Sequence, residues 1–114
     1  MKLAVIGSRS IRDENFVFEI LDQYKNAVNC VISGGAHGVD LIVEKWANQN
    51  NIPLKVYFPD WQKYGKGAGI KRNWLIVQEC TKCVAIWDGF SNGTKSTIMI
   101  CKKLNKPCDV YQLS

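Results

Sequence analysis

The chain has 114 residues, 46% hydrophobic and 22% charged, with a formal net charge of +5 from 15 basic and 10 acidic side chains. That length suits one domain able to bury a core without covalent staples, and no apolar run approaches the roughly 18 residues of a membrane span. The surplus of positive charge favours anionic partners without naming one, and the basic residues form no tail or arm of the kind that marks nucleic-acid binders.

The N-terminal MKLAVIGSRS is too short and too quickly interrupted by Arg9 and Arg12 to serve as a signal peptide, so a cytoplasmic location is expected. KLAVIG reads as a first buried strand. In DENFVFEILDQYKN, Phe16, Val17, Ile20, Leu21 and Tyr24 make one helical face, with Asp13 as N-cap. CVIS is a second strand, and VDLIVEKWANQ a helix whose Val39, Ile42, Val43, Trp46 and Ala47 form an unbroken stripe. PLKVYFP is expected to be a third strand, DWQKYGKGAG a loop and IKRNWLIVQEC a helix. KCVAIWD, KSTIMICKKLN and PCDVYQL then supply strand, helix and a last strand, placed at the edge by Pro107.

Apolar strands alternating with helices predict an α/β fold: a single Rossmann-like three-layer sandwich over residues 1–114, with about five mainly parallel strands and helices on both faces. Ligands of such sheets bind beyond the carboxyl ends of the strands. Here the loops at those ends, GSRS, SGGAHGVD, DWQKYGKGAGIKRN and DGFSNGTKS, hold every glycine of the chain, whereas the turns near Asn26, Asn50 and Asn105 are plain. One working face is expected.

Each loop offers phosphate chemistry. Ser33, Gly34, Gly35 and Gly38 let the backbone approach an anion at a helix start, and a side chain at Gly35 would take the space of a phosphate. Asp40 either offsets the helix dipole, braces the loop amides or accepts from a ribose hydroxyl. Gly7, Ser8 and Arg9 end the first strand with a hydroxyl and a guanidinium, and Arg72 and Asn73 repeat the theme in the third loop. Asp88, Ser91, Gly93 and Thr94 supply a carboxylate, hydroxyls and amides ahead of the last helix. Asp60 and the aromatic Trp61 and Trp87 lie in or beside these loops, the latter two able to stack on a base. Trp46 and Trp74 sit on helical faces, in the core or between subunits. Cys80 and Cys83 have the spacing of a metal knuckle, but no second CxxC follows and His37 is the one histidine; an odd count of five cysteines also opposes a disulfide framework. No metal and no cofactor is expected.

GSR, SGGAHGVD, FPDW, GxGAGxxRN and WDGxSxGT, in that order, resemble the SLOG superfamily of Rossmann-like nucleotide-binding domains, and within it the YspA/cpYpsA-related branch. The resemblance implies a pocket for a nucleotide-derived ligand, ADP-ribose-like or a cyclic nucleotide signal, at the carboxyl edge of the sheet, and a homo-oligomer. It implies a sensor or a sequestering protein in nucleotide-signalling or phage-defence conflict. Two alternatives accompany it: N-glycosidic hydrolysis of nucleoside phosphates as in the LOG enzymes, and single-stranded DNA binding as in DprA, with nucleic acid the less favoured partner. The LOG motif GGxGTxxE ends in a catalytic glutamate, where this chain has Thr97. A threonine cannot act as that carboxylate, so hydrolysis would need Asp40, Asp60 or Asp88 instead.

Overall fold

The computed structural model describes residues 1–113. Five strands, β1 (Lys2–Gly7), β2 (Cys30–Ser33), β3 (Leu54–Val56), β4 (Lys82–Trp87) and β5 (Cys108–Gln112), form one sheet in the order β3-β2-β1-β4-β5. Every pairing is parallel. Each strand is joined to the next through helical structure: α1 (Glu14–Asp22), α2 (Val39–Gln49), α3 (Trp61–Tyr64) with α4 (Ala68–Glu79), and α5 (Asn92–Lys103). The chain starts in the middle of the sheet, builds outward through β2 and β3, then returns past β1 to β4 and β5. The order therefore reverses between β1 and β4, and the crevice at such a reversal is where open α/β sheets hold ligands.

Period-two alternation sends β1 side chains to both faces. Leu3 and Val5 join Val31, Val84 and Ile86 under α1 and α2, where Val17, Leu21, Val43 and Trp46 complete one core. Ala4 and Ile6 join Ile32, Cys83 and Ala85 under α4 and α5, where Ile76, Val77, Ile100 and Cys101 complete the other. Both faces are thus covered, which is why the strands read as continuous apolar runs. Trp46 is fully within the core, and its indole nitrogen donates to Asp22 at 2.9 Å.

The expected order of elements holds, with three local differences. The third strand is only Leu54–Val56, because Pro53 and Pro59 bring no amide hydrogen and its outer side has no neighbour. The segment after it is not simply a loop: Asp60 accepts from Lys63 N at 3.1 Å and starts the single turn α3, followed by a 3₁₀ turn over Gly65–Gly67. The last helix begins at Asn92, three residues before KSTIMICKKLN, because Ser91 caps it through Thr94 N. No helix among the described residues is long and apolar enough to cross a membrane.

Candidate functional site

A cavity of about 440 Å³ opens at the carboxyl edge of the sheet, over the β1–β4 reversal. Its wall draws on all the glycine-bearing loops: Gly7, Arg9 and Ser10 after β1, Gly34, Ala36 and Asp40 after β2, Arg72, Asn73 and Ile76 from α4, and Asp88, Ser91, Gly93, Thr94 and Thr97 after β4, with Ile6 at the floor. The buried polar side chains among the described residues, Ser8, Ser33, Asp40, Asn73, Thr94 and Thr97, all belong to this edge. Burying a polar group costs free energy unless it is bonded, so their concentration here marks a built region.

The first loop is tied through Ser8 to β4, to the fourth loop and to the start of α2. Ser8 N donates to Ile86 O at 3.0 Å, Ser8 Oγ accepts from Asp88 N at 3.0 Å, and Ser8 O accepts from Val39 N, the first amide of α2. Gly7 and Gly38 permit this approach. A Cβ at Gly7 would stand 2.5 Å from Val39 Cγ2, and one at Gly38, where φ is +73°, would stand 2.5 Å from Arg9 O. Gly35 also has positive φ, but its missing Cβ faces Phe58 and Val56 rather than the cavity. The structure thus revises the reason for that glycine: it serves the turn, not the clearance of an anion.

Asp40 is the most strained polar group of the site. It is 5% exposed; one carboxylate oxygen accepts from Ala36 N at 3.0 Å, and the other, Oδ1, is buried with no partner. Burial lifts its pKa to about 6, against the opposing pull of Ala36 N, Arg72 and Arg9. Arg72 reaches across from α4: Nη1 donates to Gly34 O at 2.6 Å and Nε to Asn73 Oδ1 at 2.9 Å, so Asn73 holds the guanidinium against the second loop. Burial draws the Arg72 pKa down, and Asp40 opposes that. A planar guanidinium held in this way is a pre-organised fork for phosphate or carboxylate oxygens.

The fourth loop is organised by Asp88. Its Oδ1 accepts from Phe90 N and Ser91 N, each at 2.8 Å, and its Oδ2 accepts from the Ser10 hydroxyl at 2.6 Å. These bonds, that of Ser10 foremost, hold the Asp88 pKa at about 2. Trp87 Nε1 donates to Ser91 O at 3.0 Å, and the Ser91 hydroxyl donates to Thr94 Oγ1 at 2.9 Å. The start of α5 is thereby aimed at the cavity, with the positive end of its dipole toward any anion there. Thr97, one turn on, donates to Gly93 O at 3.1 Å and lines the wall.

Of the sequence-based candidates, Gly7, Arg9, Gly34, Asp40, Arg72, Asn73, Asp88, Ser91, Gly93 and Thr94 meet around this cavity. Ser8, Ser33 and Gly38 lie behind the wall and brace it; the Ser33 hydroxyl accepts from Gly35 N at 3.4 Å. Trp87 stands behind the fourth loop. Asp60 is engaged as the cap of α3, and Trp61 projects into solvent at 57% exposure. Ser10, Ala36 and Ile76 line the cavity without having been singled out. Ile76 was readable as the next turn of the α4 face that carries Arg72 and Asn73.

The sequence model of the YspA, cpYpsA-related SLOG family matches residues 1–64. The Gene 61 protein of Mycobacterium phage D29 is 29% identical over 115 residues, covering 93% of this chain and 92% of that protein. Among solved structures, DNA processing protein A from Helicobacter pylori, described for its single-stranded DNA binding mode, superposes with a TM-score of 0.76 at 21% identity. It covers 100% of this chain, which spans 66% of that protein. DNA processing protein A from Streptococcus pneumoniae superposes at 0.79 with 18% identity, over 99% of this chain and 50% of its own. At those identities the likeness is one of fold.

Proposed function

The chain belongs to the YspA, cpYpsA-related SLOG family, and from that premise we propose that it binds a phosphorylated, nucleotide-derived ligand such as ADP-ribose at the carboxyl edge of its sheet, holding it without cleaving it. The observation that carries this reading is the buried Asp40 carboxylate lining one cavity with Arg9 and Arg72. A buried carboxylate at a cavity wall is costly, and a ribose hydroxyl is a donor that a nucleotide would bring to it. Arg72 and the amides at the start of α5 suit the phosphate of the same ligand. The volume of about 440 Å³ lies within the range of small-molecule sites.

Holding rather than cleaving is supported by Thr97, whose hydroxyl is committed to Gly93 O where the LOG enzymes carry a glutamate. Asp88 is committed to two amides and a hydroxyl. A phage-encoded relative suits a protein that sequesters a nucleotide signal. Titration with ADP-ribose, NAD and nucleoside monophosphates, read by calorimetry and native mass spectrometry, should give one ligand per chain and no free base. Arg72→Ala should weaken binding about 10–100-fold, the worth of a charge-assisted pair. Folded protein that binds none of these compounds would refute the reading; release of base, lost in Asp40→Asn, would replace it with the hydrolase.

A second reading has an observation of its own. Phe58, Trp61 and Phe90 stand at this edge with 71%, 57% and 86% exposure, as platforms on which single-stranded DNA bases could stack. DNA processing protein A shares the fold. This reading requires oligonucleotide affinity that falls steeply with salt, and fails if none is measurable at low salt.

A further inference from the structure

At the end of the sheet away from the cavity, the structure gathers cysteines that are far apart in sequence. Cys83 on β4 and Cys108 at the start of β5 are register partners, and Cys101 comes down from the last turn of α5. Their three sulfur atoms all lie within 4.8 Å of one another, and all are free thiols. We propose that Cys83, Cys101 and Cys108 form a three-thiolate site for a thiophilic d¹⁰ cation of the zinc class.

Geometry separates this from the two other things three close thiols can do. Thiolates bound tetrahedrally at about 2.3 Å from one zinc ion stand about 3.8 Å apart, so the trio closes on an ion by moving no more than about 1 Å per pair. A disulfide needs two sulfurs at about 2.05 Å, closer than a shared ion asks, and leaves the third thiol without a partner. Core filling alone would use the three as small apolar side chains like the Ala4 and Ala85 that share this core, and would need no sulfur. A metal ion uses all three sulfurs.

The surroundings fit the charge and the access. Zinc with three thiolates carries a net negative charge; the Lys106 backbone amide donates to Cys101 O at 2.9 Å, and the Asp109 carboxylate next to Cys108 is paired with Lys82 at 2.9 Å. Cys83 and Cys101 are buried while Cys108 is half-buried, giving an ion and a water as fourth ligand a side from which to enter. No carboxylate or imidazole joins the trio among the described residues, so the donor set selects a soft ion over magnesium or calcium. Each thiol loses its proton to solvent as it binds, so affinity must fall as the pH is lowered. The CxxC spacing of Cys80 and Cys83 shared one of the ligands; the other two come from α5 and β5, which spacing along the chain cannot show.

Full-length protein, reduced and stripped of metal, tests this. Titrated with Zn²⁺ against a chromophoric chelator, it should take up one ion per chain, and Cd²⁺ should give the near-ultraviolet sulfur-to-metal absorption. Cys101→Ser and Cys108→Ser should each weaken uptake at least about tenfold, while Cys30→Ser leaves it unchanged. Cys108 is half-buried, so Cys108→Ser is the variant expected to stay folded, checked by circular dichroism. Failure of folded wild-type protein to take up a stoichiometric ion would overturn the proposal. So would uptake that survives Cys108→Ser unchanged, or a disulfide formed within the trio by a protein that binds no metal when reduced.

Discussion

At the carboxyl edge of the sheet the left-handed backbone positions are glycines, Gly35, Gly38, Gly65 and Gly89, whereas at the opposite edge they are Asn51 and Asn105. The asparagines end α2 and α5 with the same pair of bonds. Asn51 N reaches Asn48 O and Ile52 N reaches Ala47 O; Asn105 N reaches Lys102 O and Lys106 N reaches Cys101 O. These are Schellman closures, in which a helix satisfies its own last carbonyls. A short polar side chain tolerates that conformation because nothing approaches it. In the cavity wall the opposite holds at Gly38, which lies against Arg9 O and Ser8 O and leaves no room for any side chain. The difference is between turns that close on themselves and turns that close on each other around a cavity.

The sharpest way to break that arrangement is Gly38→Ala. Positive φ and a Cβ 2.5 Å from a carbonyl oxygen should together cost about 3 kcal/mol of stability, read by denaturant unfolding. Gly93→Ala is its control at the same edge. A Cβ at Gly93 meets nothing within 4 Å and the residue lies inside α5, so stability should rise by up to about 1 kcal/mol. Equal losses from the two substitutions would mean that the loops are not packed as described.

Asp40 carries the next effect, of opposite sign. Its folded pKa of about 6 lies above the ordinary 3.8 of an aspartate, so between those values the folded chain binds more protons than the unfolded one. Its cost to stability is therefore fully present above pH 6 and is relieved as the pH falls through 6 toward 4. Arg72, Arg9 and Glu44 are the charges around it. Asp40→Asn keeps an acceptor for Ala36 N while removing the charge. At pH 7.5 the ligand-free variant should be the more stable by at most about 3 kcal/mol, the gap closing by about pH 4, even as ligand affinity falls. A gap unchanged between pH 7.5 and pH 5 would show that burial of Asp40 is not what strains the site.

The asymmetry between the edges was legible before the structure, because glycine and hydroxyl residues cluster in the loops after the strands whatever their exact conformation. Strand and helix order followed from apolar periodicity, which the double-sided core imposes on β1, β2 and β4. What escaped was local competition and distant convergence. Asp60 reads as a pocket residue of a loop until its bond from Lys63 N makes it the cap of α3. Gly35 reads as a cradle until its missing Cβ is seen to face Phe58. The orphaned oxygen of Asp40 depends on how deeply α2 is buried against β1, which no spacing encodes.

The smallest effect tests the quiet edge. Asn51→Gly and Asn105→Gly replace a tolerated left-handed residue with the one that prefers it, at the cost of a freer unfolded chain. The two contributions oppose each other, so stability should change by no more than about 0.5 kcal/mol. Ligand affinity should not change at all, because neither residue lines the cavity and both close their helices through backbone bonds alone. A loss of ligand affinity in either variant would mean that the amino edge is coupled to the carboxyl edge through α2 or α5. For Asn105 that coupling would run along the full length of α5, from the cap beside the three cysteines to Thr94 and Thr97 in the cavity wall.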